Sequence, residues 1–194
     1  MNIEEMDLEQ LSDEICKCTL CKLAVERTKA VPGEGNIKAK LMLIGEGPGA
    51  DEDRTGMPFV GKAGELLTKI LSAVNISREE VYITNVVKCR PPGNRDPLPD
   101  EMNACWPYLA RQIELIKPNI ILALGRIAAT YLLSLEKFSI TKEHGKVYHF
   151  SNTTILIPVY HPSYLLRNPS KEVGSPKSQM WEDIQKVKEL YDSL

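Results

Sequence analysis

Five cysteines are the residues whose types and spacing point most directly to chemistry. Cys18 and Cys21 form a C-x2-C pair, and Cys89 and Cys105 follow much later in the chain. In a chain that we expect inside the cell, cysteines favour metal or reactive roles over disulfides. These four thiols predict a metal site, and spacing alone does not separate zinc from an iron–sulfur cluster. A redox pair and simple burial of the last two thiols are the alternatives, and Cys16 falls outside the set.

Three apolar runs end in residues that suit a binding site. Gly45 follows the run 41–44, Asn85 lies in the run 81–87, and His161 follows the run 155–160. Because ligands bind beyond the carboxyl ends of parallel strands, these positions predict one shared crevice. An amide offers a donor and an acceptor that match the N3/O4 edge of a pyrimidine, so Asn85 is a candidate reader of a base. A hydrogen-bonded core amide and a structural histidine are the alternative interpretations.

The segment 44–61 is a glycine-rich connection after the first apolar run. Gly45, Gly47 and Gly49 let the backbone approach a planar or anionic ligand closely. Residues 56–63 resemble a phosphate-binding P-loop but end in Ala63, where magnesium binding needs Ser or Thr. A P-loop nucleotide hydrolase is therefore the weaker alternative, and it predicts magnesium-dependent ATP turnover.

Four runs predict the strands that position these residues: 41–44, 81–87, 119–124 and 155–160. Helical patterns are found at 3–15, 62–71, 100–116, 125–133 and 176–191, and Asp100 is the expected N-cap of the third helix. Alternating strands and helices predict an α/β fold, a three-layer α/β/α sandwich around a mostly parallel four-stranded sheet. A short antiparallel partner is expected before the fourth strand. We expect a single domain over residues 1–194.

The connections 31–36 and 88–99 are predicted to lack regular structure. Residues 31–36 are turn-rich, and residues 88–99 hold four prolines, which require an extended loop.

Composition restricts the class of protein. The chain has 194 residues, 43% of them hydrophobic, and a net charge of -2. We find no signal peptide and no apolar run of the ~20 residues that a bilayer span needs, so a cytoplasmic protein without a membrane partner is expected. The charge argues against a uniformly basic surface, but residues 88–95 carry three cations and no carboxylate, which allows one local basic groove.

Taken together, the motifs resemble those of the family 4 uracil-DNA glycosylases, the thermostable iron–sulfur type. The matching segments are GEGPGADED at 45–53, GMPFVGKAG at 56–64, TNVVKCRPP at 84–92, ALG at 123–125 and HPSYLLR at 161–167. The resemblance implies hydrolytic release of uracil from DNA, which leaves an abasic site and free uracil and initiates base-excision repair. It also implies a [4Fe-4S] cluster with Cys18, Cys21, Cys89 and Cys105 as ligands and a structural role.

The resemblance further implies how the base is bound. The flipped uracil would stack on Phe59, Asn85 would read its O4/N3 edge and reject cytosine, and His161 would hydrogen-bond O2 as negative charge develops. The implied catalytic residues are His161, Asn85 and Glu46. The implied uracil-binding residues are Glu46, Gly47, Pro48, Phe59, Asn85 and His161.

The attacking water lacks an obvious partner. Related family 1 enzymes have an aspartate where Gly47 stands, so Glu46, Glu52 and Asn94 are the candidates for ordering the water. Glu52 could instead exclude the methyl group of thymine. The missing aspartate also keeps a second function open, an iron–sulfur module that binds damaged or single-stranded DNA without cutting the glycosidic bond.

The substrate implied by the resemblance is DNA containing uracil, double- or single-stranded, and the loop after the last strand is expected to contact it. Leu165 or Leu166 would wedge into the gap left by the flipped base. The expected phosphate contacts are Ser163, Arg90, Arg95, Arg126 and Arg167. A sliding clamp is a candidate partner, and a monomer is expected.

Overall fold

A computed structural model describes residues 2–194 and contains one six-stranded sheet. Its strands are β1 (Glu34–Gly35), β2 (Leu41–Gly45), β3 (Tyr82–Asn85), β4 (Ile120–Leu124), β5 (Tyr148–His149) and β6 (Ile155–Val159). Their order is β1-β3-β2-β4-β6-β5. The strands β2, β3, β4 and β6 pair in parallel, whereas the edge strands β1 and β5 pair antiparallel. The expected α/β class with a mostly parallel sheet is confirmed.

Helices cover both faces of this sheet. They are α1 (Leu8–Lys17), α2 (Leu23–Glu26), α3 (Ala50–Thr55), α4 (Lys62–Ala73), α5 (Pro99–Ile116), α6 (Arg126–Leu132), α7 (Ile140–Glu143), α8 (Pro162–Arg167) and α9 (Pro176–Asp192). Short 3-10 turns lie at Ile3–Glu5, Arg78–Glu80 and Pro92–Asn94. Residues of α1, α5 and α6 share one core cluster, and residues of α4, α8 and α9 share another.

The alternation of side chains along β2 places these two clusters on opposite faces. Met42 and Ile44 belong to the cluster of α1, α5 and α6, while Leu41 and Leu43 belong to that of α4, α8 and α9. Successive side chains of a strand point to opposite faces, so the molecule has the expected three layers. All residues of β2 and β4 are buried, which explains why these strands are continuous apolar runs. β3 is equally buried but ends in the polar residues Thr84 and Asn85.

The sheet has six strands rather than the four predicted, because two short edge strands are added. β5 is the antiparallel partner that was expected before the last strand. β1 lies in the connection 31–36, where the sequence predicts only a turn; two residues, one of them a glycine, carry no strand pattern.

Capping side chains shift several helix boundaries. The expected helix 3–15 is a 3-10 turn followed by α1, because the Asp7 carboxylate accepts a hydrogen bond from the backbone N–H of Gln10 at 2.9 Å. The helix expected to have Asp100 as its N-cap begins two residues earlier, at Pro99, with Leu98 as the N-cap, and the Glu101 carboxylate accepts from the backbone N–H of Leu98 at 2.8 Å. The helix α3 inside the glycine-rich segment is not predicted by the sequence. None of the helices within residues 2–194 has the length and apolarity that crossing a bilayer requires.

Candidate active site

A cavity of about 560 Å³ opens at the carboxyl ends of the parallel strands. It is of ordinary size for a small-molecule pocket. Its lining includes all the residues that the sequence suggests for uracil: Glu46, Gly47, Pro48, Phe59, Asn85 and His161. Asn94, Arg95, Arg126, Ser163 and Arg167 also line it, whereas Arg90, Leu165 and Leu166 do not.

Asn85 ends β3 beside Gly45, its register partner at the end of β2. Its side chain is 1% exposed, and the Oδ1 atom has no hydrogen-bond partner among the described residues. A buried polar atom without a partner costs free energy, so its retention favours a ligand that donates to it. A Cβ atom on Gly45 would lie 2.4 Å from this Oδ1 and 2.7 Å from Cζ of Phe59. Only glycine therefore leaves both side chains where they are.

Phe59 is held in a backbone conformation that L-residues rarely adopt, with φ of 50°. Arg78 fixes this segment, because its guanidinium donates to the carbonyl oxygens of Phe59 at 3.1 Å and Pro58 at 2.5 Å. A Cβ atom on Gly64 would lie 1.8 Å from the Phe59 carbonyl oxygen, so a glycine is needed there too. The Phe59 ring centroid lies 5.8 Å from that of His161. Arg78 was not identified from the sequence, which gives no signal that a residue in a distant turn supports this loop.

His161 precedes α8 and has a defined tautomer. The backbone N–H of Ser163 donates to His161 Nδ1 at 3.1 Å, and the Ser163 hydroxyl lies 2.8 Å from the same nitrogen. Because a backbone N–H can only donate, Nδ1 is an acceptor and Nε2 carries the ring proton. Burial, assisted by the positive charge of Arg167, lowers the pKa of His161 to about 4. At neutral pH the ring is an uncharged donor.

The three candidates for ordering a water are in different environments. Burial, and then the negative charge of Asp96, raise the pKa of Glu46 to about 7, and its carboxylate lines the cavity. Glu52 instead accepts from the backbone N–H groups of Val60 at 2.9 Å, Gly61 at 3.0 Å and Gly49 at 3.1 Å.

Asn94 is also engaged, since its Oδ1 accepts from Arg90 Nε at 2.7 Å. Glu46 is therefore the candidate whose carboxylate is available, and Glu52 supports the loop.

Arg95 lines the cavity but is paired with the protein itself. Its guanidinium donates to both carboxylate oxygens of Glu101, at 2.6 Å and 2.9 Å. Glu101 is fully buried, and a bidentate pair of this kind is geometrically specific. This pair ties the proline-rich loop to α5, and the phosphate contact expected of Arg95 stays a prediction.

The other cations at the cavity differ in their availability. Arg126 forms an exposed ion pair with Asp96 at 2.8 Å, a contact that contributes little and that a phosphate can replace. Arg167 stands at the end of α8 and lines the cavity. The hydroxyl of Ser163, also expected to contact phosphate, is directed to His161.

The two adjacent leucines of α8 have opposite environments. Leu165 is 1% exposed and belongs to the core cluster of α4, α8 and α9, whereas Leu166 is 43% exposed. A wedge into DNA has to be exposed, so of the two alternatives Leu166 alone fits.

The cysteines come together on the other side of the proline-rich loop. Cys18, Cys21, Cys89 and Cys105 line one small apolar pocket. Arg27 Nη1 donates to Cys89 Sγ at 3.1 Å, and the backbone N–H of Lys88 donates to Cys105 Sγ at 3.3 Å. Cys16 is exposed and lies outside this lining.

Within residues 2–194, no group of three or more His, Cys, Asp or Glu side chains is arranged to hold one ion. Four thiols around one pocket are donors of the kind that bind a zinc ion or an iron–sulfur cluster. The N–H donors to two of the sulfurs are contacts of the kind that tune such clusters.

Comparison with known proteins agrees with this geometry. The family model described as the uracil DNA glycosylase superfamily matches residues 32–185. The chain is 48% identical to the type-4 uracil-DNA glycosylase of Thermotoga maritima over 188 residues, which cover 97% of this chain and 96% of that protein. It is 48% identical to the type-4 enzyme of Saccharolobus solfataricus, with coverage of 96% and 88%. The type-5 uracil-DNA glycosylase of Thermus thermophilus is 32% identical, with coverage of 81% and 88%.

Proposed function

This chain belongs to the uracil-DNA glycosylase superfamily and is a uracil-DNA glycosylase, and we propose that uracil is released in the cavity at the carboxyl edge of the sheet. The observation that carries this assignment is the buried, unpartnered Oδ1 of Asn85 in a cavity that His161 also lines. The similarity to type-4 enzymes over nearly the whole chain confirms the expected family.

Base selection is assigned to Asn85 and Phe59. Uracil donates from N3 and accepts at O4, so the free Asn85 Oδ1 can accept from N3–H while its amide N–H donates to O4. Cytosine has the reverse pattern at these two atoms and would leave the amide unpaired. The Phe59 ring offers a stacking surface, which contributes roughly 1–3 kcal/mol for a base.

Departure of the base is assigned to His161. The bond between N1 of uracil and C1′ of the sugar breaks, and its electron pair leaves on the base, where O2 shares the charge. The Nε2–H of neutral His161 donates to O2 and stabilises this charge without transferring its proton. A donor of this kind is worth about 10²–10³ in rate.

Water addition is assigned to Glu46. The water oxygen bonds to C1′, and Glu46 in its carboxylate form accepts the proton that the water loses. This role needs a carboxylate that is not already hydrogen-bonded to the protein, which favours Glu46 over Glu52. Glu46 thereby substitutes for the aspartate that family 1 enzymes have at the position of Gly47.

DNA contacts are assigned to α8 and its surroundings. Leu166 is the proposed wedge, because it is exposed beside the cavity that receives the base. Arg167 and Arg126 are the proposed phosphate contacts, together with Arg90 on the proline-rich loop. Arg126 would exchange Asp96 for a phosphate oxygen.

The cysteine pocket is the proposed site of a [4Fe-4S] cluster with Cys18, Cys21, Cys89 and Cys105 as ligands. When bound, the cluster would cross-link segments far apart in the chain: the N-terminal segment, the proline-rich loop and α5. Arg95 adds a second connection between that loop and α5. We propose a structural role for this cluster.

We further propose that residues 1–194 act as one domain, because the assigned residues surround one sheet, and that the protein is a monomer. The DNA substrate supports a cytoplasmic location. A sliding clamp stays a candidate partner.

An excision assay tests the proposal. The purified holo-protein is incubated with single- and double-stranded oligonucleotides that contain one uracil, without divalent metal, and abasic sites are cleaved with alkali. We expect cleavage with the wild type and a large loss with Asn85→Ala. Binding of the oligonucleotide without formation of abasic product would instead indicate the alternative function, a DNA-binding module.

A further inference from the structure

Lys88 is a buried lysine that the mechanism above does not use. It is 1% exposed, although lysine is almost never fully buried unless it is paired. Its Nζ donates to Thr84 Oγ1 at 2.6 Å, Gln112 Oε1 at 2.6 Å and the backbone oxygen of Asn85 at 2.8 Å. Three oxygen acceptors match the three N–H donors of an ammonium group. All three acceptors are uncharged, so this is a hydrogen-bonded support rather than an ion pair.

The acceptors belong to a buried polar network beneath the base-reading amide. Gln112 lies on α5 and donates to the backbone oxygen of Pro32 at 2.8 Å. The hydroxyl of Thr84 donates to the same oxygen at 2.8 Å. Lys88 thus joins the last two residues of β3 to α5 and to the segment before β1. Fully satisfied buried networks of this kind rigidify the backbone that they connect.

The backbone of Lys88 contacts the cysteine pocket at the same time. Its N–H donates to Cys105 Sγ at 3.3 Å, and the next residue is Cys89. One residue therefore touches a thiol of the cysteine pocket through its main chain and the backbone of Asn85 through its side chain.

We propose that Lys88 is a positioning residue that holds Asn85 at a fixed place relative to the cysteine pocket and thereby sets the affinity of the cavity for uracil. This inference rests on the proposed function of the cavity. Asn85 has to present an acceptor and a donor to the same base edge, which requires its backbone not to shift. Of the proposed phosphate contacts, Arg126 and Arg167 lie on α6 and α8 and do not depend on Lys88, whereas Arg90 follows Lys88 in the same loop.

The test replaces Lys88 by methionine, which has similar length and no donors. Equilibrium binding of free uracil is followed by NMR titration of the uracil protons, and excision is measured as kcat and KM on a single-stranded oligonucleotide. Without the hydrogen bond from Lys88 to the Asn85 backbone, the affinity for free uracil should fall about three- to tenfold. We expect kcat to fall while KM for the DNA stays within about twofold, because phosphate contacts supply most of the DNA affinity. Lys69→Met on the exposed face of α4 is the matched control, with wild-type values expected.

Iron per chain and visible absorbance separate positioning from a general loss of structure. Wild-type iron content together with weaker uracil binding supports the proposal. Wild-type iron content together with unchanged uracil binding and kcat overturns it.

A second variant decides the matter if Lys88→Met does not fold. Gln112→Met removes one of the three acceptors and touches neither Asn85 nor a cysteine. We expect a smaller loss of uracil affinity than in Lys88→Met, about twofold to fivefold, because two of the three acceptors of Nζ remain. Unchanged affinity in Gln112→Met would overturn the proposal. If the wild type leaves uracil-containing DNA intact, the proposed function fails, while the free-uracil titration still decides the role of Lys88.

Discussion

His161 and Ser163 form a local contact that determines which ring nitrogen of the histidine faces the cavity as a donor. The Ser163 backbone N–H donates to His161 Nδ1 at 3.1 Å, and the serine hydroxyl lies 2.8 Å from the same atom. The backbone donor cannot be removed by changing the serine side chain. The tautomer with the proton on Nε2 is therefore fixed by the start of α8 itself.

This contact predicts unequal effects of two substitutions. His161→Phe keeps a ring but removes the donor to O2, and should lower the single-turnover excision rate about 10²–10³-fold. Ser163→Ala keeps the backbone donor and should lower it less than about tenfold, the effect of one side-chain hydrogen bond. A loss in Ser163→Ala as large as that in His161→Phe would contradict the assignment of the tautomer to the backbone.

Glu46 predicts a rise of activity with pH. Its pKa is raised to about 7, and the carboxylate form is the one that accepts a proton from water. The value of kcat/KM should therefore increase through about pH 7. The pKa of His161 is lowered to about 4, so protonation of this ring should add no further loss of kcat/KM between pH 7 and pH 5. Asp96→Asn removes a negative charge that raises the pKa of Glu46, so the midpoint should move to lower pH.

Glu46→Gln provides the control for this profile. It should reduce the rate about 10²–10⁴-fold, the usual contribution of a general base, and abolish the rise near pH 7. An unchanged profile in this variant would exclude Glu46 as the titrating group.

Substitutions at Gly45 and Asn85 are predicted to have non-additive effects on the excision rate. A Cβ atom at residue 45 would lie 2.4 Å from Asn85 Oδ1, so Gly45→Ala should displace the amide and remove most of the activity that Asn85→Ala removes. The double variant should lose less than the two single losses combined, because displacement of the amide is common to both and only the Cβ contact with the Phe59 ring remains. Single-turnover rates of the four proteins measure the coupling, and additive losses would show that Gly45 acts independently.

Substitutions of the two leucines of α8 are predicted to affect different quantities: the rate of excision from duplex DNA for Leu166 and the free energy of unfolding for Leu165. Leu166→Ala should lower excision from duplex DNA about three- to tenfold and leave single-stranded DNA nearly unaffected, because only a duplex needs a wedge. Leu165→Ala should instead lower the free energy of unfolding by about 2–5 kcal/mol, since it empties a buried site. Denaturant unfolding and the two excision rates are the measurements. Equal losses on both substrates for Leu166→Ala would remove the wedge assignment.

Substitution of the cysteines that line the pocket is predicted to lower the iron content of the protein. Cys89→Ser and Cys105→Ser should lower iron per chain and the visible absorbance, and should lower the melting temperature because the cross-link is weakened. Cys16→Ser is the matched control with wild-type iron content, since Cys16 is exposed and outside the pocket. Stoichiometric zinc in a colourless wild-type protein would contradict the cluster.

The sequence predicted the central fold because its strands are covered on both faces. Residues 41–45 and 120–124 are wholly buried and therefore read as continuous apolar runs. The edge strand Glu34–Gly35 and the acidic helix α3 carry no apolar period, and their positions depend on hydrogen bonds to distant residues. Such elements can be found only once the tertiary structure is known.

The part of the candidate site that lies at the carboxyl ends of the parallel strands was predictable, because ligands bind there in open α/β sheets. Asn85 and His161 were chosen because they stand at strand ends, and the structure brings them to one cavity. Their functional roles stay predictions. The choice between Leu165 and Leu166 was not predictable, because neighbours in a helix differ in exposure only through packing. The pairing of Arg95 with Glu101 was not predictable either, because the sequence does not show that Glu101 is buried beside it.

The carboxylate of Glu52 gives the glycine-rich segment an internal anion. It accepts from the N–H groups of Gly49, Val60 and Gly61, which precede α3 and α4. Helix N-termini of this kind are where proteins bind phosphate, so Glu52 occupies the place that a nucleotide phosphate would take in a P-loop. Because Glu52 also lines the cavity, we expect its carboxylate to repel a DNA phosphate from the cavity floor. The loop that resembles a phosphate cradle should therefore favour an uncharged base.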